Sequence, residues 1–315
     1  MNEMKKVLIT CDMHESFIDG LKALGYSFDY YPEFSTEETF GILPDYEGLV
    51  VSTKIQVNKV LIDRGDKLEF IARAGSGMEN IDVEYARSKD IHCFSSPEGN
   101  SNAVAEFALG MLLSLLRNIV KADKEVRDEL WLREENRGSE LSGKTIGIIG
   151  YGNTGSAFAK ILIGFDVKIL VYDKYLTGYG RDHIRESDME EIFMNADIVS
   201  FHVPLTVETK YFINMEMLQR FNKRIILINT SRGKIMDNSS IVEGLKTNKL
   251  KGICLDVLEE EPVYEGYAKK HVYFNELRNF NNVILSPHIA GWTVESREKM
   301  GKILLQKLRL TLNKS

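Results

Sequence analysis

The sequence contains few cysteines and prolines and no hydrophobic run long enough to span a bilayer. Only three cysteines and six prolines occur in 315 residues. Cys11, Cys93 and Cys254 are far apart and odd in number, so they suggest neither a disulfide framework nor a CxxC pair. Small buried thiols are expected instead. A reducing, cytoplasmic location is therefore predicted.

The most apolar stretch, residues 103–116, is too short for a membrane helix. It is interrupted by Glu106, Gly110 and Ser114 and is typical of a helix buried on most sides. The apolar run near the N-terminus is too short for a signal peptide and predicts a first core strand. The basic C-terminal stretch, residues 297–314, is expected to form a surface helix. No membrane partner is predicted.

The sequence also has no excess of positively charged residues. The net charge is -6 and the isoelectric point is near 5.7, which argues against nucleic acid as a partner. HExxH, spaced Cys/His clusters and GxSxG do not occur in the sequence, so neither a metal site nor serine hydrolysis is predicted. With 43% hydrophobic residues, the chain is typical of a globular protein with room for two domains.

Strand and helix patterns alternate in two blocks. This rhythm predicts an α/β protein with two doubly wound parallel-sheet domains, a smaller flavodoxin-like domain and a Rossmann domain. A helix near 102–121 is expected to connect the blocks, followed by charge-rich helix and linker at 123–140. The predicted strands are 7–10, 28–31, 49–52, 70–72 and 91–94 in the first block, and 145–149, 167–172, 198–203, 225–229, 252–257 and 283–286 in the second.

A last helix is predicted from about Val294. We expect it to fold back on the first block and make that domain discontinuous. The predicted domains are then residues 1–100 with 290–315, and residues 101–289.

A glycine-rich turn in the second block carries the strongest signal. An apolar strand at 145–149 leads into Gly150-x-Gly152-x-x-Gly155, and a helical run and a second strand follow. Asp173 ends that second strand, 18 residues after Gly155, close to the interval of about 20 residues typical of dinucleotide-binding folds. Gly150 permits a tight turn, Gly152 admits a diphosphate to the helix N-terminus, and Gly155 allows close packing.

The acid at the second strand end also indicates which dinucleotide binds. The Asp173 carboxylate accepts hydrogen bonds from ribose hydroxyls and repels the 2′-phosphate of NADP, so NAD is the predicted cofactor. Lys174 is adjacent and basic, and leaves some tolerance of NADP open.

Polar residues follow the later strands of the second block, where open parallel sheets bind their ligands. Arg232 follows the fourth strand, the acids at 259–261 follow the fifth, and His288 follows the sixth. Such a set can hold a carboxylate and move a proton beside a hydride carrier. His202, near the end of the third predicted strand, is expected to be structural.

These residues lie in motifs that resemble the D-isomer-specific 2-hydroxyacid dehydrogenases, the family of phosphoglycerate, glyoxylate/hydroxypyruvate and D-lactate dehydrogenases. The resemblance covers nearly the whole chain. Beyond the glycine turn it rests on Arg-Ala-Gly-Ser-Gly-x-x-Asn-Ile-Asp at 73–82, Pro-Glu-Gly-Asn-Ser-Asn-Ala-Val-Ala-Glu at 97–106, Asn-x-x-Arg-Gly at 229–233, Leu-Asp-Val-x-x-x-Glu-Pro at 255–262 and Pro-His-x-x-Gly at 287–291.

The resemblance implies NAD-dependent, reversible reduction of a small 2-keto acid to the D-2-hydroxy acid. Arg232 resembles the arginine that binds the substrate carboxylate and polarises its carbonyl. His288 resembles the general acid/base that protonates the keto oxygen. Glu261 resembles the acid that orients the imidazole and favours its protonated form.

Further residues are implied in binding the cofactor or the substrate. Asp256 is expected near the nicotinamide, and backbone N–H groups around Ser76 and Gly77 are expected to complete a carboxylate site. The implied cofactor-binding set is Gly150, Gly152, Asn153, Thr154, Gly155, Asp173, Val203, Pro204, Thr230, Ser231, Asp256 and Gly291, and the implied substrate-binding set is Ser76, Gly77, Asn100 and Arg232.

Departures from the family pattern leave the substrate open. Ser52 stands where many relatives have a basic residue, although Lys54 follows, and the aromatic segment 264–282 is unusually long. Hydroxypyruvate or glyoxylate is favoured slightly over 3-phosphohydroxypyruvate. Because only 27 residues follow His288, the alternative activity is a phosphoglycerate dehydrogenase expected to lack the regulatory domain.

Two further interpretations concern partners. The family also resembles the C-terminal-binding corepressors, so a non-catalytic NAD-sensing protein is the rival function. The apolar helix at 103–116 resembles the dimer-forming helix of the family, and a homodimer is expected.

Overall fold

Runs of consecutive buried residues, most of them apolar, form the central strands of two parallel sheets, the pattern expected where helices cover both faces of a sheet. The computed structural model describes residues 4–181, 183–261 and 271–312. The chain divides into two compact units. One consists of the residues up to Ser101 together with those from Trp292 onward, and the other is Asn102–Gly291.

The first unit contains a five-stranded, fully parallel sheet. Its strands are β1 (Lys6–Ile9), β2 (Ser27–Tyr30), β3 (Gly48–Val51), β4 (Phe70–Arg73) and β5 (His92–Ser95). They lie in the order β2-β1-β3-β4-β5, which is the flavodoxin-like order of doubly wound sheets.

The second unit contains a seven-stranded parallel sheet. Its strands are β6 (Thr145–Ile149), β7 (Lys168–Tyr172), β8 (Ile184–Glu186), β9 (Ile198–Phe201), β10 (Ile225–Asn229), β11 (Leu250–Leu255) and β12 (Val283–Leu285). The order β12-β11-β10-β9-β6-β7-β8 reverses between β6 and β9, as in Rossmann sheets. The predicted fold class is confirmed.

Helices cover the sheets. In chain order they are α1 (Glu15–Ala23), α2 (Thr36–Ile42), α3 (Lys59–Arg64), α4 (Val83–Ser88), α5 (Ser101–Leu116), α6 (Ile119–Arg127), α7 (Asn153–Leu162), α8 (Met189–Asn195), α9 (Met215–Arg220), α10 (Asn238–Lys246), α11 (Val272–Leu277) and α12 (Val294–Leu312).

Side-chain caps fix where many helices begin. Ser35 and Glu38 form a reciprocal capping box at α2, and Asn58, Asp188 and Asn214 accept first-turn N–H groups at α3, α8 and α9. Helix α7 differs because its N-cap is Gly152, which has no side chain to accept those bonds. Its first N–H groups therefore remain available to a ligand.

Alternate residues of the first sheet face two separate cores. Leu8 of β1 packs with residues of α3 and α4 on one face, whereas Val7 and Ile9 pack with α1 and α12 on the other. The last helix thus completes the core of the unit that begins the chain, and Leu304 and Leu308 are its buried anchors.

The second sheet is covered in the same way. Helices α5 and α7 pack on one face with Ile146 and Ile148 of β6. Helices α8, α9, α10 and α11 contribute buried residues to the other core, with Val199 of β9 and Leu227 of β10. Both faces being apolar explains why the central strands contain few polar residues.

Three structural details differ from the prediction. The helix predicted over 102–121 is two helices, because Asn118 adopts a left-handed conformation with φ of 54°. The second sheet has a seventh strand, β8, which is short and mostly exposed. Strands β9 and β11 end at Phe201 and Leu255, two residues earlier than expected.

The long aromatic segment is described only in part. Its residues 264–270 lie outside the described ranges, and α11 occupies its second half. Among the described residues, no single helix has the length and apolar character needed to cross a membrane. The pair α5 and α6 meets that test only together, with a bend of 62° between them.

Candidate active site

The glycine turn between β6 and α7 needs its glycines for different reasons. Gly150 has φ of 95°, and a Cβ there would lie 2.4 Å from the His202 carbonyl oxygen. A Cβ at Gly155 would lie 2.0 Å from the Gly150 carbonyl oxygen, so the helix could not pack this closely on the turn. Around Gly152 a Cβ would meet nothing within 4 Å. The turn is therefore closed on the protein side and open at the N-terminus of α7.

Asp173 lies beyond β7 with its carboxylate held by backbone N–H groups. Tyr151 donates to Oδ2 at 2.7 Å, and Tyr175 and Leu176 donate to Oδ1 at 2.9 and 3.0 Å. Burial alone would raise the pKa of Asp173, but these hydrogen bonds outweigh burial and lower it. Because a carboxylate has about four acceptor positions, the charged group can still accept from a ribose hydroxyl.

These features fit a bound dinucleotide. The N-terminus of α7 has no capping side chain and faces open space, as a diphosphate requires. Thr230, just after β10, has a buried hydroxyl oxygen without a hydrogen-bond partner in the described part of the chain. A ligand group can satisfy that oxygen, because buried polar atoms are rarely left unpaired.

A buried histidine supports the glycine turn from behind. The His202 ring lies 2.8 Å from the Ser200 hydroxyl through Nε2 and 3.2 Å from the Thr154 hydroxyl through Nδ1. Burial lowers the pKa of His202 to about 3, so the ring is neutral at physiological pH. His202 thus holds Thr154 in place. The neighbouring residues Val203 and Pro204 begin the loop after β9.

A second turn, after β10, presents Arg232. The Asn229 side chain donates to the Arg232 carbonyl and accepts from the Ser231 N–H, both at 3.0 Å. The Arg232 guanidinium donates to the Ser231 carbonyl at 2.7 Å. No residue with a side chain fits in place of Gly233, because a Cβ there would lie 1.6 Å from the Leu258 carbonyl oxygen. The Asn-x-x-Arg-Gly motif is therefore a braced turn that fixes the arginine backbone.

The third turn, after β12, carries His288 next to Glu261. The imidazole Nδ1 lies 2.8 and 2.9 Å from the two Glu261 carboxylate oxygens. Because a carboxylate only accepts hydrogen bonds, Nδ1 carries the proton, and Nε2 faces away from this partner. Both side chains are nearly half exposed, 42% for His288 and 47% for Glu261, so the pair is open to solvent rather than enclosed in the core.

The backbone around His288 is held by Asp256, at the end of β11. The Asp256 carboxylate is 1% exposed and accepts from the Ser286 hydroxyl at 2.6 Å and from the N–H groups of Ile289 and Ala290 at 2.9 and 2.8 Å. Its carbonyl accepts from the His288 N–H at 2.7 Å. This clamp holds His288 at a positive φ of 56°. Asp256 is buried in the turn, and a direct cofactor contact stays a prediction.

The remaining candidate residues lie in the first unit. Ser76 and Gly77 follow β4, and the Ser76 hydroxyl donates to the Asn100 side-chain oxygen at 2.9 Å. Gly75 has φ of 150°, and a Cβ there would collide with the buried Arg73 guanidinium. A cation therefore lies beneath the turn in which a carboxylate site is predicted.

The comparison with protein families identifies the family of this chain. Residues 109–290 match the family described as D-isomer specific 2-hydroxyacid dehydrogenase, NAD binding domain. The chain belongs to that family. The resemblance inferred from the motifs is confirmed, and so is NAD as the cofactor of the domain. Gly291, the last predicted cofactor residue, lies just beyond the matched range.

Relatives in this 2-hydroxyacid dehydrogenase family match almost the whole chain. D-3-phosphoglycerate dehydrogenase of Synechocystis is 34% identical over 97% of this chain, which spans only 54% of that relative. Hydroxypyruvate reductase of Thermotoga maritima is also 34% identical, over 86% of this chain and 87% of the relative. The crystal structure of D-lactate dehydrogenase from Aquifex aeolicus, complexed with NAD and lactic acid, has a TM-score of 0.85 at 25% identity and covers 98% of this chain and 96% of that one.

Several residues of this candidate site could not be assigned from the sequence. Asn229 and Ser286 brace the turns after β10 and β12, and Tyr151 stacks on Tyr179 beside Asp173 with ring centroids 4.4 Å apart. Asn229 lies inside a recognised motif, which is a usable signal. Tyr179 and Ser286 have no such signal, since each depends on the packing of distant segments.

Proposed function

We propose that this chain is an NAD-dependent oxidoreductase that reversibly reduces a small 2-keto acid to the D-2-hydroxy acid. The observation that carries the proposal is the His288–Glu261 pair, with Nδ1–oxygen distances of 2.8 and 2.9 Å. Because β10, β11 and β12 are neighbours in the sheet, the turns that carry Arg232, Glu261 and His288 follow adjacent strand ends.

The roles of these residues follow from their chemistry. NADH, when bound, supplies the hydride that reaches the carbonyl carbon. Arg232 binds the substrate carboxylate through its planar guanidinium. His288 donates the proton from Nε2 to the carbonyl oxygen, and Glu261 stabilises the imidazolium before that transfer. In the reverse direction His288 accepts the hydroxyl proton.

In this proposal the second unit binds NAD through the turn at Gly150–Gly155 and through Asp173. The Ser76–Gly77 turn of the first unit offers backbone N–H groups for a carboxylate, next to the buried Arg73. The pairing of Ser76 with Asn100 supports that turn.

We favour an unphosphorylated substrate, with hydroxypyruvate or glyoxylate ahead of 3-phosphohydroxypyruvate. Lys54, the candidate cation for a phosphate, lies 3.4 Å from the Glu33 carboxylate, and Ser52 is neutral. A phosphate dianion without a cation partner would be costly to bind. The alternative, phosphoglycerate dehydrogenase, is supported by the Synechocystis relative of that name.

The assembly proposed is a homodimer in the cytoplasm. Helix α6 and the residues that follow expose large apolar side chains, which is unusual for a surface without a partner. The exposed fractions are 51% for Ile119, 56% for Val120, 52% for Val126, 47% for Leu130 and 78% for Trp131. A second copy of this chain would cover them. The three unpaired cysteines support a reducing compartment.

The proposal is tested by following NADH oxidation with a panel of 2-keto acids that includes glyoxylate, hydroxypyruvate, pyruvate and 3-phosphohydroxypyruvate. We expect turnover with at least one acid and the highest kcat/KM with an unphosphorylated one. A kcat/KM at least tenfold higher for the phosphorylated acid, lost in Lys54→Ala, would reverse the substrate order. NADH binding without turnover of any acid would favour the non-catalytic NAD-sensing rival.

A further inference from the structure

A second carboxylate lies beside the acid that selects the cofactor. Lys174 directly follows Asp173, and its ammonium lies 2.6 Å from Glu208 Oε2. The Tyr175 hydroxyl donates to the same oxygen at 3.0 Å. Glu208, 34 residues further along the chain, therefore binds both residues that follow Asp173.

The loop after β9 is built to present Glu208. The Thr209 hydroxyl donates to the Pro204 carbonyl at 2.6 Å, and the Thr206 N–H donates to the Thr209 hydroxyl at 2.7 Å. These bonds close the loop around Val207, which projects into solvent with 97% exposure. Glu208 is thereby fixed beside the end of β7.

The pairing changes what Lys174 can offer a ligand. Hydrogen bonding to Glu208 raises the pKa of Lys174, and the same bond lowers the pKa of Glu208, so both groups are charged at neutral pH. A free lysine next to Asp173 would attract the 2′-phosphate of NADP. A lysine already neutralised by a carboxylate attracts that phosphate far less. Asp173, Lys174 and Glu208 together give this edge of the site one net negative charge.

We propose that Glu208 is a specificity-determining residue that disfavours NADPH by neutralising Lys174. The inference rests on the proposed use of a nicotinamide dinucleotide and concerns which dinucleotide is used. Asp173 discriminates directly at the ribose, whereas Glu208 acts through the lysine. Lys174, which by sequence alone suggests tolerance of NADP, therefore adds little affinity for the 2′-phosphate.

The expected effect is modest because the pair is open to solvent, with 53% of Lys174 and 56% of Glu208 exposed. Charges in water at such separations change affinity by about three- to tenfold, and salt weakens the effect. The predicted quantity is the ratio of the NADPH and NADH dissociation constants.

The experiment measures both dissociation constants by fluorescence for the wild type, Glu208→Gln, Lys174→Ala and the double variant. Glu208→Gln should lower the ratio of the NADPH and NADH dissociation constants about three- to tenfold at low salt. This gain in relative affinity for NADPH should vanish in the Lys174→Ala background. The matched control is Glu190→Gln, which removes a carboxylate paired with Arg220 on the same unit and should leave the ratio unchanged.

Three results would overturn the proposal. An unchanged ratio in Glu208→Gln, or the same gain in Glu190→Gln, would show that Glu208 has no specific role. A gain that persists without Lys174 would show that Glu208 does not act through the lysine. If no variant binds either dinucleotide, the proposed function itself fails and this inference fails with it.

Discussion

At the scale of single residues, two histidine–glutamate pairs lie close together in the sequence but differ in their setting. His288 and Glu261 follow strand ends of the second sheet, whereas His271, 3.2 Å from Glu260, precedes α11. Both pairs join an imidazole to a carboxylate, but of the two only His288–Glu261 lies at the strand ends where a parallel sheet binds its ligand. This difference supplies a matched control within one chain.

Replacing His288 by alanine should lower kcat for keto-acid reduction by roughly 10²–10⁴-fold, the usual cost of losing a positioned proton donor. The dissociation constant of NADH should stay near the wild-type value, because the glycine turn at 150–155 and Asp173, which bind the diphosphate and the ribose in this proposal, follow other strands. His271→Ala removes the other imidazole and should retain activity. Near-normal turnover in His288→Ala would refute the assignment.

Glu261→Gln should lower kcat for keto-acid reduction. The Glu261 carboxylate only accepts hydrogen bonds, so it fixes the proton on Nδ1 of His288 and leaves Nε2 for the substrate. A glutamine amide can donate to Nδ1 as well as accept from it, so the ring is no longer held in one tautomer. Glu260→Gln is the control and should leave kcat unchanged. Wild-type kcat in Glu261→Gln would show that the carboxylate does not position the proton donor.

Asp173→Ala should narrow the preference for NADH over NADPH. The backbone hydrogen bonds lower the pKa of Asp173, so the carboxylate is charged, and the preference should be constant, across the neutral pH range. The measurement is kcat/KM for each cofactor in the wild type and the variant. Equal use of NADPH by the wild type would contradict the role of this acid.

The sequence reveals residues whose roles depend on their immediate neighbours. The glycine turn and Asp173 are recognisable because strand, turn and helix follow one another, and Arg232 and His288 are recognisable from motifs. The pairing of Lys174 with Glu208 is not, because it joins the end of β7 to the loop after β9. Such contacts depend on which strands are neighbours in the sheet, and a single sequence does not show that order directly.

At the scale of elements, the turn after β12 depends on one buried carboxylate. Asp256→Asn places an amide NH₂ among the donors of Ser286, Ile289 and Ala290, so at least one of those hydrogen bonds is lost. We expect a loss of about 1–3 kcal/mol in the free energy of unfolding and a lower kcat, because His288 is carried by this turn.

Urea unfolding and steady-state kinetics test this expectation. Asp66→Asn, at an exposed position in the first unit, is the control and should change neither quantity. A free energy of unfolding and a kcat equal to the wild-type values in Asp256→Asn would show that the turn keeps its conformation without the carboxylate.

The elements themselves were predicted well where burial dictates the pattern. Central strands such as β6 and β10 are buried throughout, and their apolar runs mark them plainly. The sequence pattern does not indicate strand β8, because two of its three residues are exposed. The pattern does not indicate the break at Asn118 either, because apolar residues continue beyond it and only the left-handed backbone conformation ends the helix.

At the scale of the whole molecule, the exposed apolar side chains of α6 and the residues after it predict self-association. Trp131→Asp combined with Val120→Asp should convert a dimer into monomers, since a buried charge without a partner is costly. Sedimentation measures the change. Val60→Asp, at a residue 65% exposed on α3, should leave the assembly intact. A wild-type monomer, or a dimer that survives both aspartates, would contradict the proposed interface.

The proposed reaction as a whole combines a hydride from NADH with a proton from His288 to produce a D-2-hydroxy acid. The most direct test supplies NADH deuterated at the transferred position and examines the product of the best acid in the panel that gives a chiral hydroxy acid, such as hydroxypyruvate or pyruvate. We expect deuterium at C2 of the hydroxy acid and the D configuration. An L product, an unlabelled C2, or no reduction of any acid would contradict it.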